Sequence, residues 1–126
     1  MSASDSSPSA TIPLSAQLDS SILHVLMDTI PDKIYFKDLQ SRIVRNNIAH
    51  AKSLGVDSPA DCIGKTDYDF FSRQHADEAL RDEQQILRTN QPMIGKVEKN
   101  TMLDGSFTWV STTKLPWRDE SGKLIG

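Results

Sequence analysis

Cys62, His24, His50 and His75 are the residues of this 126-residue chain whose types most often carry nucleophilic, redox or metal chemistry. A lone cysteine closes no intramolecular disulfide and builds no multi-cysteine zinc site. No two histidines stand four apart, and neither His-x-His nor His-Glu-x-x-His occurs, so metal-ligand spacing is missing. Cys62 with His50 or His75 could serve as thiol and base, but nothing in their spacing brings them within hydrogen-bond reach. There is no Gly-x-Ser-x-Gly elbow, and Gly122 and Gly126 flank a turn instead of opening a phosphate-binding helix. The residues read better as structure. Cys62 is a small apolar filler, His50 among Ile48, Ala49, Ala51 and Leu54 is a packed histidine, and His24 is an exposed one. No catalytic activity is expected of this chain.

Charge and length narrow the classes further. Lys and Arg number 14 against 17 Asp and Glu, a net charge of −3. No basic excess is available to neutralise a phosphate backbone, so no nucleic-acid partner is expected. No apolar run is long enough to span a bilayer, and the N-terminus lacks the basic and apolar regions of a secretory signal. A cytoplasmic, reducing setting is the expectation. A mass of 14.0 kDa leaves room for one domain.

The elements follow from periodicity. Residues 1–15, rich in Ser and carrying Pro8 and Pro13, read as a disordered tail. Leu18, Ile22, Val25 and Thr29, widened by Leu26 and Ile30, predict an amphipathic helix over 16–30, capped by Ser15 or Asp19 and stopped by Pro31. Lys33 to Lys37 and Arg42 to Arg45 read as a hairpin around Asp38-Leu39-Gln40-Ser41. Asn46 or Asn47 caps a short helix over 48–54, and Gly55 ends it. An irregular stretch with one helical turn at 68–71 leads to a longer helix over 74–89. Strands at 93–101 and 107–115 flank the turn Leu103-Asp104-Gly105-Ser106, and Lys123 to Gly126 opens a further strand. A strand that starts without length suggests a domain cut from a larger protein. Strands at both ends with helices between them predict an α+β domain with one antiparallel sheet and its helices on one face.

Several short motifs in this order resemble the PAS domain family. They are Ile30 to Asp38; Asn47 to Ala51 with Leu54-Gly55; Ile63 to Phe71; Asp82-Glu83-Gln84 with Ile86-Leu87; Leu103 to Ser106; and Trp109 to Pro116, followed by Arg118-Asp119 and Gly122. The resemblance covers roughly residues 18–126, and the single domain is taken as 16–126 with its N-terminal helix. It implies a PAS fold: a five-stranded antiparallel sheet, the last strand truncated at Ile125-Gly126, cupping a small cavity under short helices. Such domains occur in sensor histidine kinases, diguanylate cyclases and chemoreceptors. Blue-light relatives form a flavin adduct through an Asn-Cys-Arg motif, which Asp61-Cys62-Ile63 does not match. Haem-binding relatives use a histidine further along the long helix than His75. No cofactor is therefore expected.

Alternation along 107–115 makes two sets of side chains. Periodicity alone turns Phe107, Trp109 and Leu115 to the core, whereas the resemblance turns the Trp position outward and lines the cavity with the residues between. The conflict resolves if the sheet has two covered faces, with the helix at 16–30 over Trp109 and Leu115. The expected cavity is then lined by Tyr35, Lys37, Glu98, Asn100, Val110 and Thr112, with Lys114 near its mouth. Glu98 either pairs with Lys37 or Lys114 and closes the cavity, or these groups hold a small polar ligand. The expected dimer face comprises Leu18, Ile22 and Val25 with Trp109 and Leu115. The function these readings imply is a sensory module of a larger signalling protein, with an output domain downstream. The alternative is a ligand-free homodimerisation module.

Overall fold

The computed structural model describes residues 11–126. Three α-helices and four strands make up the regular structure of the described residues: α1 (Leu14–Thr29), β1 (Tyr35–Lys37), β2 (Ile43–Asn46), α2 (Ile48–Ser53), α3 (Arg73–Thr89), β3 (Met93–Thr101) and β4 (Phe107–Lys114). Two 3-10 turns, Pro59–Cys62 and Asp67–Asp69, lie between α2 and α3. The residue before proline is driven into extended backbone, and Ile30 adopts it (ψ 128°), which ends α1 ahead of Pro31. Asn47 caps α2, and Ser72 caps α3, each by accepting a hydrogen bond from the backbone N–H three residues on.

Asn47 does more than cap a helix. It is fully buried, and its Oδ1 accepts from both the Ile34 and the His50 N–H at 3.0 Å. Its Nδ2 donates to the Asp32 carbonyl at 2.7 Å. One side chain thus fixes where the chain leaving α1 enters β1 and where α2 begins. The core beneath is Ile43, Ala51, Leu54, Cys62, Phe70 and Phe71, with Val56 and Met102 packed against it. The irregular connection is pinned at both ends. Ile43 N–H donates to the Lys65 carbonyl at 2.8 Å, and Ser72 N–H donates to the Thr101 carbonyl at 2.8 Å.

β1 pairs antiparallel with β2, and β3 pairs antiparallel with β4. These are two separate two-stranded ladders among the described residues, not one continuous sheet. After β4 the chain turns back on itself, with Trp117 N–H donating to the Gly126 carbonyl at 2.9 Å. Gly126 then reaches β1, where a Cβ in its place would lie 1.9 Å from the Lys37 carbonyl oxygen. The contact admits only glycine. Trp117 meets Phe36 of β1 edge-on at 5.2 Å.

Three expectations change. The tail 1–15 lies partly outside the described residues, and Leu14 and Ser15 already belong to α1. Neither Ser15 nor Asp19 caps that helix: Pro13 precedes it without a side-chain bond, and the first turn closes through Gln17 N–H to the Pro13 carbonyl. The helix also does not cover the outer sheet face. Its one buried residue is Met27, near its end, and it packs on α2. Trp109 and Leu115 remain 65% and 63% exposed, and Leu18, Ile22 and Val25 are exposed as well. Anchored only at its C-terminal end, α1 does not fold its stripe back over β4.

The turn at 103–106 forms as the Asp-Gly pair demands. Gly105 sits at φ +87°, Gly105 N–H donates to the Met102 carbonyl, and Ser106 N–H donates to Asp104 Oδ1. Valine resists that region of backbone space at a cost of about 1–3 kcal/mol. Nothing stands within 4 Å of a Cβ there, so the cost is strain alone. Gly105→Val should lower the melting temperature, whereas Gly105→Asn, which tolerates positive φ, should largely keep it.

Candidate functional site

β1 turns alternate side chains to one face, so Tyr35 and Lys37 point together toward α3. On α3 the inner stripe runs Ala76, Ala79, Leu80, Ile86, Leu87, and the position between Leu80 and Leu87 on that stripe is Glu83. From β4, Lys114 points inward from the far side. The three meet. Lys37 Nζ donates to Glu83 Oε2 at 2.7 Å and to Asp67 Oδ2 at 3.0 Å. Lys114 Nζ donates to the same Glu83 Oε2. Lys37, Lys114 and Glu83 side chains are about one-tenth exposed.

The charges hold one another in the ionised state. Burial works against the Glu83 carboxylate, but Lys37 and Lys114 outweigh it and lower its pKa. Burial likewise opposes the Lys37 ammonium, and Asp67 and Glu83 outweigh it and raise its pKa. Tyr35 stands beside the cluster with Lys37 Nζ 5.3 Å from its ring centre, and burial pushes its hydroxyl pKa up. Behind Tyr35 lies His50, 4.7 Å between ring centres, its Nδ1 3.0 Å from Asn46 Nδ2.

A cavity of about 500 Å³ opens between β1, β4 and α3. Lys37, Glu83 and Lys114 form its polar floor, and Ile34, Ile86, Leu87, Leu115 and Trp117 supply most of its walls. Glu83 also borders a smaller cavity of about 80 Å³ beside Asp67 and Thr66. Glu83 Oε1 is buried and has no hydrogen-bond partner among the described residues.

Of the expected lining, the structure brings Tyr35, Lys37 and Lys114 together at this cavity. Glu98, Asn100, Val110 and Thr112 are part-buried on the same face of the β3–β4 ladder, but further along it and outside the cavity lining. Glu98 pairs with neither Lys37 nor Lys114; the nearest cation is Lys96, at 3.7 Å. Lys96 is itself held by Asp82 at 2.6 Å and Glu78 at 2.8 Å on α3. The bulge at Gly95, where the ladder register shifts between Met93 and Lys96, separates this second ion cluster from Lys114. Sequence reasoning missed Glu83 and Asp67. A carboxylate at an inner-stripe position of α3 was the signal for Glu83; Asp67, opening a 3-10 turn, gave none. Cys62 is fully buried in the core and His75 packs on Phe71 at 4.6 Å; neither lines the large cavity.

The family model described as the PAS fold matches residues 27–126, and the chain belongs to that family. It is a sensory module of PAS type. Among solved structures it is similar to VqmA bound to DPO, at 28% identity and a TM-score of 0.73, over 86% of this chain and 54% of that one. It is similar also to Vibrio cholerae VqmA in a complex with ligand and DNA, at 27% identity and a TM-score of 0.72, over 92% of this chain and 48% of that one. The PAS domain of a Colwellia psychrerythraea protein, 17% identical, shares the fold with a TM-score of 0.69 over 86% of this chain and 90% of its own. The chain spans about half the length of the VqmA chains it matches. No curated protein matches the sequence. The expectation of no nucleic-acid partner gains no support here, since VqmA is solved with DNA. Among the described residues no helix is long and apolar enough to cross a membrane.

His50 makes the site sensitive to acid. Burial, then the Lys37 ammonium, lowers its pKa to about 4, against an ordinary value near 6.5. The unfolded chain therefore takes the proton first, so stability is full above about pH 6.5 and falls as pH drops toward 4. Between pH 7 and pH 5 the loss through this one residue is about 2 kcal/mol. Urea unfolding at the two pH values should show it, and His50→Gln should flatten the dependence over that interval. An equally steep dependence in His50→Gln would assign it to other groups.

Proposed function

We propose that this PAS domain senses a small molecule held in the cavity between β1, β4 and α3. The observation that carries the reading is the cavity of about 500 Å³ with a buried, paired Lys37–Glu83–Lys114 floor. Pockets with apolar walls and a few converging polar groups are the usual form of small-molecule sites. The slot between β1 and β4 that Gly126 enters is also where the strand implied beyond it by the family resemblance would run. The ligand would then occupy the inner part, against the polar floor, and contact both hairpins. Occupancy would pass along that strand to an output domain of a longer protein, such as a sensor histidine kinase or diguanylate cyclase. The likeness to VqmA, solved with a ligand and with DNA, supports ligand sensing and adds a DNA-binding output to the alternatives.

The domain works, in this reading, in the cytoplasm, without catalysis of its own and without haem or flavin. The position of Cys62 in the core and of His75 against Phe71, both away from the cavity, supports the last point.

A second reading, a ligand-free homodimerisation module, is favoured by the exposed apolar residues Leu18, Ile22, Val25, Trp109 and Leu115. Fully burying one such side chain contributes about 1.5–3 kcal/mol, and V. cholerae VqmA is a dimer. Native mass spectrometry of the protein, incubated with a small-molecule extract of its expression host, separates the two. A small mass added to each chain is expected. Dimers with bare chain masses throughout would favour the second reading and overturn the first.

A further inference from the structure

The charges of the buried cluster at the cavity floor balance; the other charged lining residues are Lys33 and Arg118, both exposed, and Asp38, which pairs with Arg42. Two ammonium groups, Lys37 and Lys114, face two carboxylates, Glu83 and Asp67, all within one hydrogen-bonded cluster. A charged ligand entering this low-dielectric space would leave one net charge uncompensated, and burying an unpaired charge is costly. Hydrogen-bonding capacity, in contrast, is left over on both sides. An ammonium group carries three N–H donors. Lys37 uses two of them, on Asp67 and Glu83, and Lys114 uses one, on Glu83. Both lysines line the cavity with N–H groups to spare. On the acceptor side, Glu83 concentrates both lysines on Oε2 and leaves Oε1 buried without a donor. An unsatisfied buried acceptor is unfavourable, and a donor brought to it recovers that loss.

Resting on the small-molecule reading above, we infer that the ligand is electrically neutral and offers both a hydrogen-bond acceptor and a hydrogen-bond donor, as an amide does, on an otherwise apolar body. The acceptor meets the spare N–H groups of Lys114 and Lys37. The donor meets the Glu83 carboxylate. The apolar body lies against Ile34, Ile86, Leu87 and Leu115. Anions such as carboxylates find the lysines already neutralised, and cations find the carboxylates already taken.

Three probes of nearly one shape test this: benzamide, benzoate and benzamidine, which are neutral, anionic and cationic at pH 7. Binding to the protein is read by chemical-shift titration of the Lys37, Glu83 and Lys114 amides. Benzamide should bind at least about ten-fold tighter than either charged probe, a difference of about 1.4 kcal/mol. Glu83→Gln removes one negative charge from the floor and should shift the preference toward benzoate. Asp67→Asn makes the same charge change at the rear of the cluster and serves if Glu83→Gln does not fold. Benzoate or benzamidine binding as tightly as benzamide would overturn the neutral-ligand inference while leaving a small-molecule site in place. A preference unmoved by either substitution would overturn charge balance as its origin. No binding by any of the three at millimolar concentration would overturn both the inference and the sensing function on which it rests.

Discussion

Glu83 ties β1 and β4 to α3 through a single carboxylate oxygen. The β1–β2 and β3–β4 hairpins share no continuous hydrogen-bonded sheet among the described residues. On the inner side one carboxylate oxygen on α3 accepts from Lys37 of β1 and Lys114 of β4, beside the Phe36–Trp117 contact and the packing of Met102 on the core. Asp67 takes a second Lys37 N–H and extends the tie to the irregular connection. Buried ion pairs barely offset their own desolvation, but removing one partner costs about 3–5 kcal/mol because the other charge is left stranded. Glu83 has two such partners. The cluster therefore contributes geometry more than net stability: it sets where β1, β4 and α3 stand with respect to one another.

That geometry explains why the same residues form the candidate site. Lys37, Glu83 and Lys114, one from each of the three elements, meet at the base of the cavity those elements enclose. The paired charges act as a rigid polar floor with Ile86 and Leu87 beside it. A molecule that exchanges hydrogen bonds with this floor touches both hairpins at once. In the proposed function, ligand occupancy is thus converted directly into the relative position of β1 and β4, next to the slot that the chain after Trp117 enters.

Much of the fold was legible because it rests on local rules. An asparagine cap for α2, left open between Asn46 and Asn47 by the sequence and taken by Asn47, Gly55 and Gly105 at positive φ, and the strands Met93–Thr101 and Phe107–Lys114 follow from turn chemistry and alternation. The outward turn of Trp109 is not local: periodicity argues against it, and only family resemblance placed Val110, Thr112 and Lys114 on the inner face. The site was half legible. Tyr35, Lys37 and Lys114 follow from the facing that the resemblance implies, carried along each strand by parity, but parity says nothing about how far along a ladder a side chain sits. Glu98 and Asn100 accordingly have the right face and the wrong place. Glu83 was hidden because a charged residue on a helix is usually read as solvated, although its spacing from Leu80 and Leu87 puts it on the buried stripe. The cover of α1 over Trp109 failed for a related reason: an amphipathic stripe shows that a helix wants a partner, not where its anchored end will point.

The protonation state of Glu83 tests the central claim most directly. Carbon-13 NMR titration of its side-chain carboxyl reports that one group in the folded protein. If two lysines bind this carboxylate, its midpoint must lie below the ordinary glutamate value of about 4.3, with the Lys37 and Lys114 side-chain resonances shifting in the same step. A midpoint at or above the ordinary value, with the lysine signals unmoved, would show that burial outweighs pairing and that Glu83 does not tie the two hairpins together.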